Sequence, residues 1–367
     1  MSSTTNHKPQ FTQVRINEID LLRFIAAIAV VIFHYAFRGY AANDMTTMPY
    51  PLLSRYAKFG YLGVNLFFMI SGFVILMTAS EGSLRKFLVS RFVRLYPTFW
   101  LCCSVTFIMT LLLGGERFSA TTYQYLINLT MFSEYFYVEP IDGAYWSLFF
   151  ELKFYILIGI ILIIKKIDWI QLFLILWLSA TIYLEYFIQN DYWYYWLNVN
   201  YSVYFIAGAT FFLIRSKGVS FLRIFILSTS WIIACLQAFE DILIREKYYK
   251  TPMNENIVLL VISTFYLILF LIALNKTNII GQFDWSFLGA LTYPLYLLHQ
   301  NIGYMIFNSI YPKINEHIIF WGVIILILIM SYLVTRFEKK MLSPIKESIN
   351  NLFDFLKSKL TTSYLNF

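Results

Sequence analysis

The sequence predicts an all-α fold, a polytopic transmembrane helix bundle of about ten spans with both termini cytoplasmic, and three observations lead there. The chain is 59% hydrophobic, 20% aromatic and only 13% charged, whereas soluble domains carry roughly 25% charge. That much apolar surface cannot be hidden in one water-soluble core, so lipid must be its solvent. Apolar runs long enough to cross hydrocarbon as helices recur along the whole length, separated by short polar connectors. Lys and Arg fall unevenly on the two sides that these runs define.

In chain order the spans are expected at roughly 20–38, 59–79, 96–113, 145–164, 169–188, 196–214, 221–239, 256–274, 286–309 and 317–335. The first 19 residues are polar, and the apolar run after them has no small-residue cleavage site, so it reads as a retained span and not a removed signal. The chain divides into an N-terminal cytoplasmic segment (1–19), one transmembrane domain (20–337) and a cytoplasmic amphipathic tail (338–367). No connector is large enough for a second domain of ~100 residues, and no internal repeat or Gly/Ser linker stands out. Residues 80–95 place apolar and basic positions at helical spacing, as expected for an amphipathic surface helix ahead of the third span. The loop 114–144 ends in Asp142-Gly143, a turn signal, and 240–255 is charged without net excess and reads as a solvated loop. In the tail, Arg336, Lys339 and Lys340 suit anchoring at the membrane edge.

The formal charge of +7 could suggest nucleic acid, but its distribution argues for topology instead. Of 28 Lys and Arg, 18 fall on the side of the termini and eight on the other, with Arg23 and Lys153 inside spans. The positive-inside rule therefore puts both termini in the cytoplasm and the loop 114–144 outside, where Glu116, Glu134, Glu139 and Asp142 face Arg117 alone. Cys102, Cys103 and Cys235 fall within spans, where buried thiols are expected and disulfides or metal ligands are not.

An Arg, Lys or Asp at the centre of a span costs ~2.5–3.5 kcal/mol on insertion scales, so each intramembrane ionisable group needs a reason. These are Arg23, His34, Glu151, Lys153 and His299. Ten residues separate Arg23 from His34, and on a helix this step turns the chain about 20° beyond three full turns and rises roughly 16 Å. Both side chains face one way, with only apolar residues between them, so a polar stripe points into the bundle or a wet cavity. Each also has a plainer reading, Arg23 as a snorkelling interfacial arginine and His34 as a hydrogen-bonded structural histidine. Counting depth along the spans puts His34, Glu151 and His299 in one layer. Lys153 lies about 200° around the helix from Glu151, too far to be its partner.

Five segments resemble the membrane acyltransferase 3 family, whose members include enzymes that O-acetylate bacterial surface polysaccharides. LLRFIAAIAVVIFHYAF carries the Arg-x10-His pattern of Arg23 and His34. GVNLFFMISGFVI, from Gly63 to Ile75, resembles the second-span signature, where Ser71 and Gly72 permit close helix contact. RFVRLYPTFW, from Arg91 to Trp100, is similar to the Arg-x-x-Arg segment entering the third span, and YWSLFFELKFY (145–155) and YPLYLLH (293–299) resemble later signatures.

The resemblance implies a stand-alone membrane O-acyltransferase. It would move an acyl group, usually acetyl from acetyl-CoA as co-substrate, to a hydroxyl of a glycan or lipid-linked saccharide, with no permanently bound cofactor or metal. A bacterial inner membrane is the expected location, and the lipid bilayer, acyl-CoA and the acceptor are the expected partners. His34 is the candidate base, or alternatively a transient acyl carrier, with Glu151 orienting its imidazole. Glu151 could also be a structural carboxylate. Arg23, Arg91 and Arg94 would receive the nucleotide end of coenzyme A, although Arg91 and Arg94 could equally anchor to anionic lipid. Ser71, Trp146, Ser147, Tyr293 and His299 are expected to line the site. A transporter or flippase of a lipid-linked saccharide is the main competing class, disfavoured by the lack of repeat symmetry and paired broken helices. A non-catalytic scaffold would leave the polar stripe of the first span without a purpose.

Overall fold

A computed structural model of the chain describes residues 15–188 and 190–364. Residues 1–14 of the expected N-terminal segment and 365–367 of the expected tail lie outside the described residues. Ten long helices answer the ten expected spans one for one: α1 (Asn17–Ala41), α2 (Leu62–Ala79), α3 (Leu84–Leu113), α4 (Gly143–Ile163), α5 (Ile167–Tyr186), α6 (Asp191–Lys217), α7 (Phe221–Tyr249), α8 (Glu255–Ala273), α9 (Ser286–Ile310) and α10 (Glu316–Tyr364). Among the described residues, nine of these are long and apolar enough to cross a membrane, and α9 is the exception. Its 25 residues are long enough, but His299, Gln300, Asn301 and Asn308 make it polar. It tolerates this composition because it packs between α1, α3 and α10, so its stretch from Leu291 to Phe307 is almost wholly buried in protein. A helix surrounded by helices need not match lipid.

Three boundaries differ from the sequence expectation. No separate surface helix precedes the third span: α3 starts at Leu84, capped by the Ser83 hydroxyl, and runs through Pro97 to Leu113 as one helix. Of the expected surface helix 80–95, residues 84–95 are helical but form the first turns of α3, and no turn residue separates them from the apolar run that follows. Residues 240–249 are not loop, because α7 continues to Tyr249 and turns Asp241, Ile242 and Arg245 along its last turns. The basic tail continues α10 without a break through Pro344, and Arg85 on α3 reaches across to Asp354 at 2.6 Å.

The tightest helix pair is α2 against α6, where Gly72 lies against the backbone of Phe205 and Gly208 against the backbone of Met69. Small residues on both sides let two backbones touch, as lipid-embedded helices require in place of a hydrophobic drive to associate. Pro294 in α9 leaves the Ala290 carbonyl without its intrahelical donor, and the Thr335 hydroxyl of α10 lies 3.4 Å from it. That contact, with the bonds from Asn17 to Gly281 and from Arg15 to Ser286, sets the start of α1, the start of α9 and residue 335 of α10 at one end of the bundle. Cys102, Cys103 and Cys235 are free and buried.

Candidate active site

The first helix changes its winding at the residue of interest. From His34 to Arg38 it forms a single π turn before closing at Gly39–Ala41. Such bulges occur mostly as single turns and frequently at functional sites. Here the turn sets His34 and Arg38 on the wall of one cavity of about 130 Å³, lined also by Tyr61, Asn65, Trp146, Arg245, Tyr249, Tyr296 and Gln300.

His34 is held by Tyr304 of α9, whose hydroxyl lies 3.0 Å from Nδ1 and 3.1 Å from the His34 carbonyl oxygen. The Arg38 guanidinium reaches the same hydroxyl. Tyr304 has one proton to give, and a guanidinium can only donate. Because the Tyr304 hydroxyl donates to the His34 carbonyl, it accepts from Nδ1–H. Nε2 then carries the lone pair, which is the tautomer a general base needs. His299 stands beside it, ring centroids 5.0 Å apart. Its Nδ1–H donates to the Tyr296 carbonyl at 2.8 Å, and its buried Nε2 has no partner.

A second cavity, of about 70 Å³, is lined by Arg23, Ser71, Arg94, Ser147, Glu151, Thr292, Tyr293 and Tyr296. Val64 and Tyr296 line both cavities, so the two lie back to back across one wall. The Tyr296 hydroxyl is fixed there by Ser147 Oγ at 2.7 Å and the Ala144 carbonyl at 3.0 Å. Arg23 lies in the field of Arg94 and Arg91 on one hand and of Asp20 and Glu151 on the other, with Asp20 at 3.9 Å. Arg91 stands just outside this lining, donating to the Thr78 and Ser90 hydroxyls. Tyr293 donates to the Leu95 carbonyl at 3.3 Å.

The structure therefore brings together most of the residues singled out from sequence, but in two groups. His34, Trp146 and His299 belong to the first, and Arg23, Arg94, Ser71, Ser147, Tyr293 and Glu151 to the second. Glu151 does not meet His34. Its Oε1 accepts from Tyr155 at 2.6 Å and from Ser71 at 3.2 Å, facing α2 and the arginines. Depth along two helices can match while their side chains turn to different neighbours, and the imidazole's partner is Tyr304 instead. Lys153 is no part of either cavity; it donates to the Tyr195 carbonyl at 2.7 Å and sits 3.8 Å from that ring's centroid. Among the described residues no group of three or more His, Cys, Asp or Glu is placed to hold a metal ion.

Five residues at or beside this site were not read from the sequence as part of it. Arg38 counts there as an outer-side charge, yet it lies on the cavity wall. Arg245 and Asp241 pair at 2.6 Å at an i,i+4 spacing, a helical signal inside what reads as loop. Asp142 is wholly buried: one carboxylate oxygen caps α4 through the Ala144 N–H at 2.8 Å and the other accepts the Asn301 N–H of α9 at 2.9 Å. An Asp just before an apolar run is an N-cap signal as well as a turn signal. Tyr304 offers no sequence signal beyond its place in a polar span.

Against this geometry, the family model described as an acyltransferase domain matches residues 16–336, nearly the whole chain. The chain belongs to the acyltransferase 3 family. Its curated relatives include nodulation protein 10 of Rhizobium leguminosarum bv. viciae, 29% identical over 40% of this chain and 44% of that protein. The peptidoglycan O-acetyltransferase OatA of Listeria monocytogenes is 27% identical over 43% of this chain and 25% of OatA. The acyltransferase MdmB of Streptomyces mycarofaciens is 27% identical over 39% of this chain and 38% of MdmB. The matched segments thus span less than half of each of these relatives. No solved structure matches the chain.

Proposed function

We propose that this acyltransferase moves an acetyl group from acetyl-CoA to a hydroxyl of a glycan or lipid-linked saccharide, with the donor entering at Arg23 and Arg94 and the acceptor meeting His34. The observation that carries this reading is the pair of cavities back to back at Val64 and Tyr296, one walled by arginines and the other by the histidine. Guanidinium forks suit the phosphates of coenzyme A. Arg91 adds positive charge at the rim, and Glu151 acts as a positioning residue that fixes the arginine side of the donor cavity. The excess of Lys and Arg at that end supports a cytoplasmic donor entrance, with both termini on the same side and the protein in a bacterial inner membrane. The activity for which OatA is named, O-acetylation of peptidoglycan, supports a saccharide acceptor.

In the reaction, His34 Nε2 takes the proton of the acceptor hydroxyl as its oxygen bonds to the thioester carbonyl carbon. The tetrahedral adduct then collapses, the carbon–sulfur bond breaks, and the imidazolium returns the proton to the leaving thiolate. The side-chain amides of Asn65 and Gln300 line the same cavity and are the donors at hand for the developing oxyanion.

Purified His34→Ala protein in lipid nanodiscs, given labelled acetyl-CoA and saccharide acceptors, should transfer label about 10²–10⁴-fold more slowly than the parent. Transfer at the parent rate removes His34 from the chemistry.

A further inference from the structure

We infer that the cavity at His34 takes an acceptor bearing an anionic group, a carboxylate or a phosphate, which Arg38 and Arg245 hold while a neighbouring hydroxyl meets the imidazole. This rests on acyl transfer at His34 and names the class of acceptor. Two arginines line the cavity and no carboxylate does. Arg245 has Asp241 at 2.6 Å, but Arg38 makes no ion pair among the described residues. Its partners are neutral, the hydroxyls of Tyr304 and Tyr249. Asp142, an acid that lies in the field of Arg38, has both oxygens committed to backbone N–H groups.

The wall therefore carries one half-buried cation with no anion bonded to it, and one of its nitrogens is shut away from water. Arg38 Nη1 is buried with no hydrogen-bond partner, and so is the hydroxyl of Tyr61, a residue only 6% exposed. Arg245 lies directly over the Tyr61 ring, 3.9 Å from its centroid, so these groups form one patch. Buried donors without acceptors are costly, more so when charged. An incoming carboxylate or phosphate supplies both the missing acceptors and the missing charge, with the bidentate geometry a guanidinium prefers.

The approach to this patch is built differently. A neighbouring cavity shares Tyr61, Asn65, Tyr201 and Arg245 with it and adds Glu185, Tyr194, Asn200, Gln237, Glu240 and Asp241. Neutral amides and hydroxyls there suit sugar hydroxyls, while the carboxylates offset Arg245 on that side. The unbalanced charge is thus concentrated at Arg38, next to His34.

Calorimetric titration of the purified full chain in nanodiscs with glucuronic acid, glucose 6-phosphate and glucose tests this. At least one acidic probe should bind at least tenfold more tightly than glucose, and which one leads distinguishes carboxylate from phosphate. Arg38→Gln and Arg245→Gln should each cut that advantage below threefold while leaving acetyl-CoA affinity unchanged. Arg38→Lys and Arg245→Lys, which keep the charge and lose the fork, should fall between, and they carry the test if a Gln variant does not fold. Equal binding of acidic and neutral probes, or a preference that survives both Gln variants, overturns the inference. Loss of acetyl-CoA binding in place of acidic-probe binding also overturns it, by giving the two arginines to the donor. None of these readouts depends on turnover, so they stand apart from the His34→Ala result.

Discussion

The Tyr304 hydroxyl touches His34 twice, 3.0 Å from its Nδ1 and 3.1 Å from its carbonyl oxygen. One group on α9 thus fixes both the tautomer of the imidazole and the backbone of the π turn that carries it. Tyr304→Phe removes that anchor without emptying the core. A lost hydrogen bond of about 1 kcal/mol, felt only when the base works, corresponds to a fall in kcat of roughly fivefold to tenfold. Steady-state kinetics should show this with KM for acetyl-CoA unchanged. An equal rise in KM would mean that Tyr304 shapes binding instead.

Arg23 and Arg94 share a cavity wall, and each is assigned a charge-assisted contact to the donor. Such a bond contributes about 1.5–3 kcal/mol, so Arg94→Ala should weaken acetyl-CoA binding roughly tenfold to a hundredfold. Saccharide affinity should not move. Titration calorimetry on both ligands checks the pattern, and unchanged acetyl-CoA affinity would return Arg94 to lipid anchoring.

Burial pushes the Asp142 carboxyl from its ordinary 3.8 up to about 7, against the pull of the Ala144 and Asn301 N–H groups and of Arg38. The other titratable groups around it, Tyr35, Tyr145, Tyr296, Tyr304, Cys102 and Cys103, are phenols and thiols, which ordinarily titrate above pH 8. The folded protein binds this proton more tightly than the unfolded chain does. Its contribution to stability is therefore full below about pH 4 and is lost as pH rises toward and through 7. Thermal unfolding should occur at lower temperature at pH 8 than at pH 5.5, and Asp142→Asn should flatten that slope. The Asn variant also gives up the bond from Asn301, so its unfolding temperature should be lower at pH 5.5. A slope identical in parent and variant would place the titration elsewhere.

Gly208 meets the Met69 backbone across the α2–α6 contact, where no side chain can move aside. Gly208→Val must part the two helices, and overpacking of this kind costs about 1–3 kcal/mol or more. Size-exclusion profiles of detergent-solubilised protein should show loss of the monodisperse peak. Gly159→Val, where nothing lies near the added atom, should leave it intact.

Much of this architecture is legible in the sequence because lipid imposes it. Long apolar runs give the ten helices, and the Arg23/His34 spacing gives an inward stripe, since a charged side chain in hydrocarbon has few alternatives. Azimuth is not legible. Glu151 can be placed at a depth from the sequence but not pointed, and it turns toward Ser71 and Tyr155. Arg38 and Arg245 escape for a different reason: a cation near the end of a span looks like a topology signal whether it faces headgroups or a cavity. The π turn at His34 leaves no mark in residue type, and only the packing of α9 against α1 explains why Tyr304 finds it.

That helix has one more consequence, in how the protein comes to be made. α9 carries His299, Tyr304 and Tyr296, and among the described residues it is the one long helix whose composition would not hold it in lipid by itself. Its place in the membrane depends on α1, α3 and α10 receiving its polar face, and α10 is synthesised after it. The other helices can enter the bilayer singly as they emerge from the ribosome, but this one must wait for company. Chains interrupted before residue 316 would lack α10, one of the three helices that receive it.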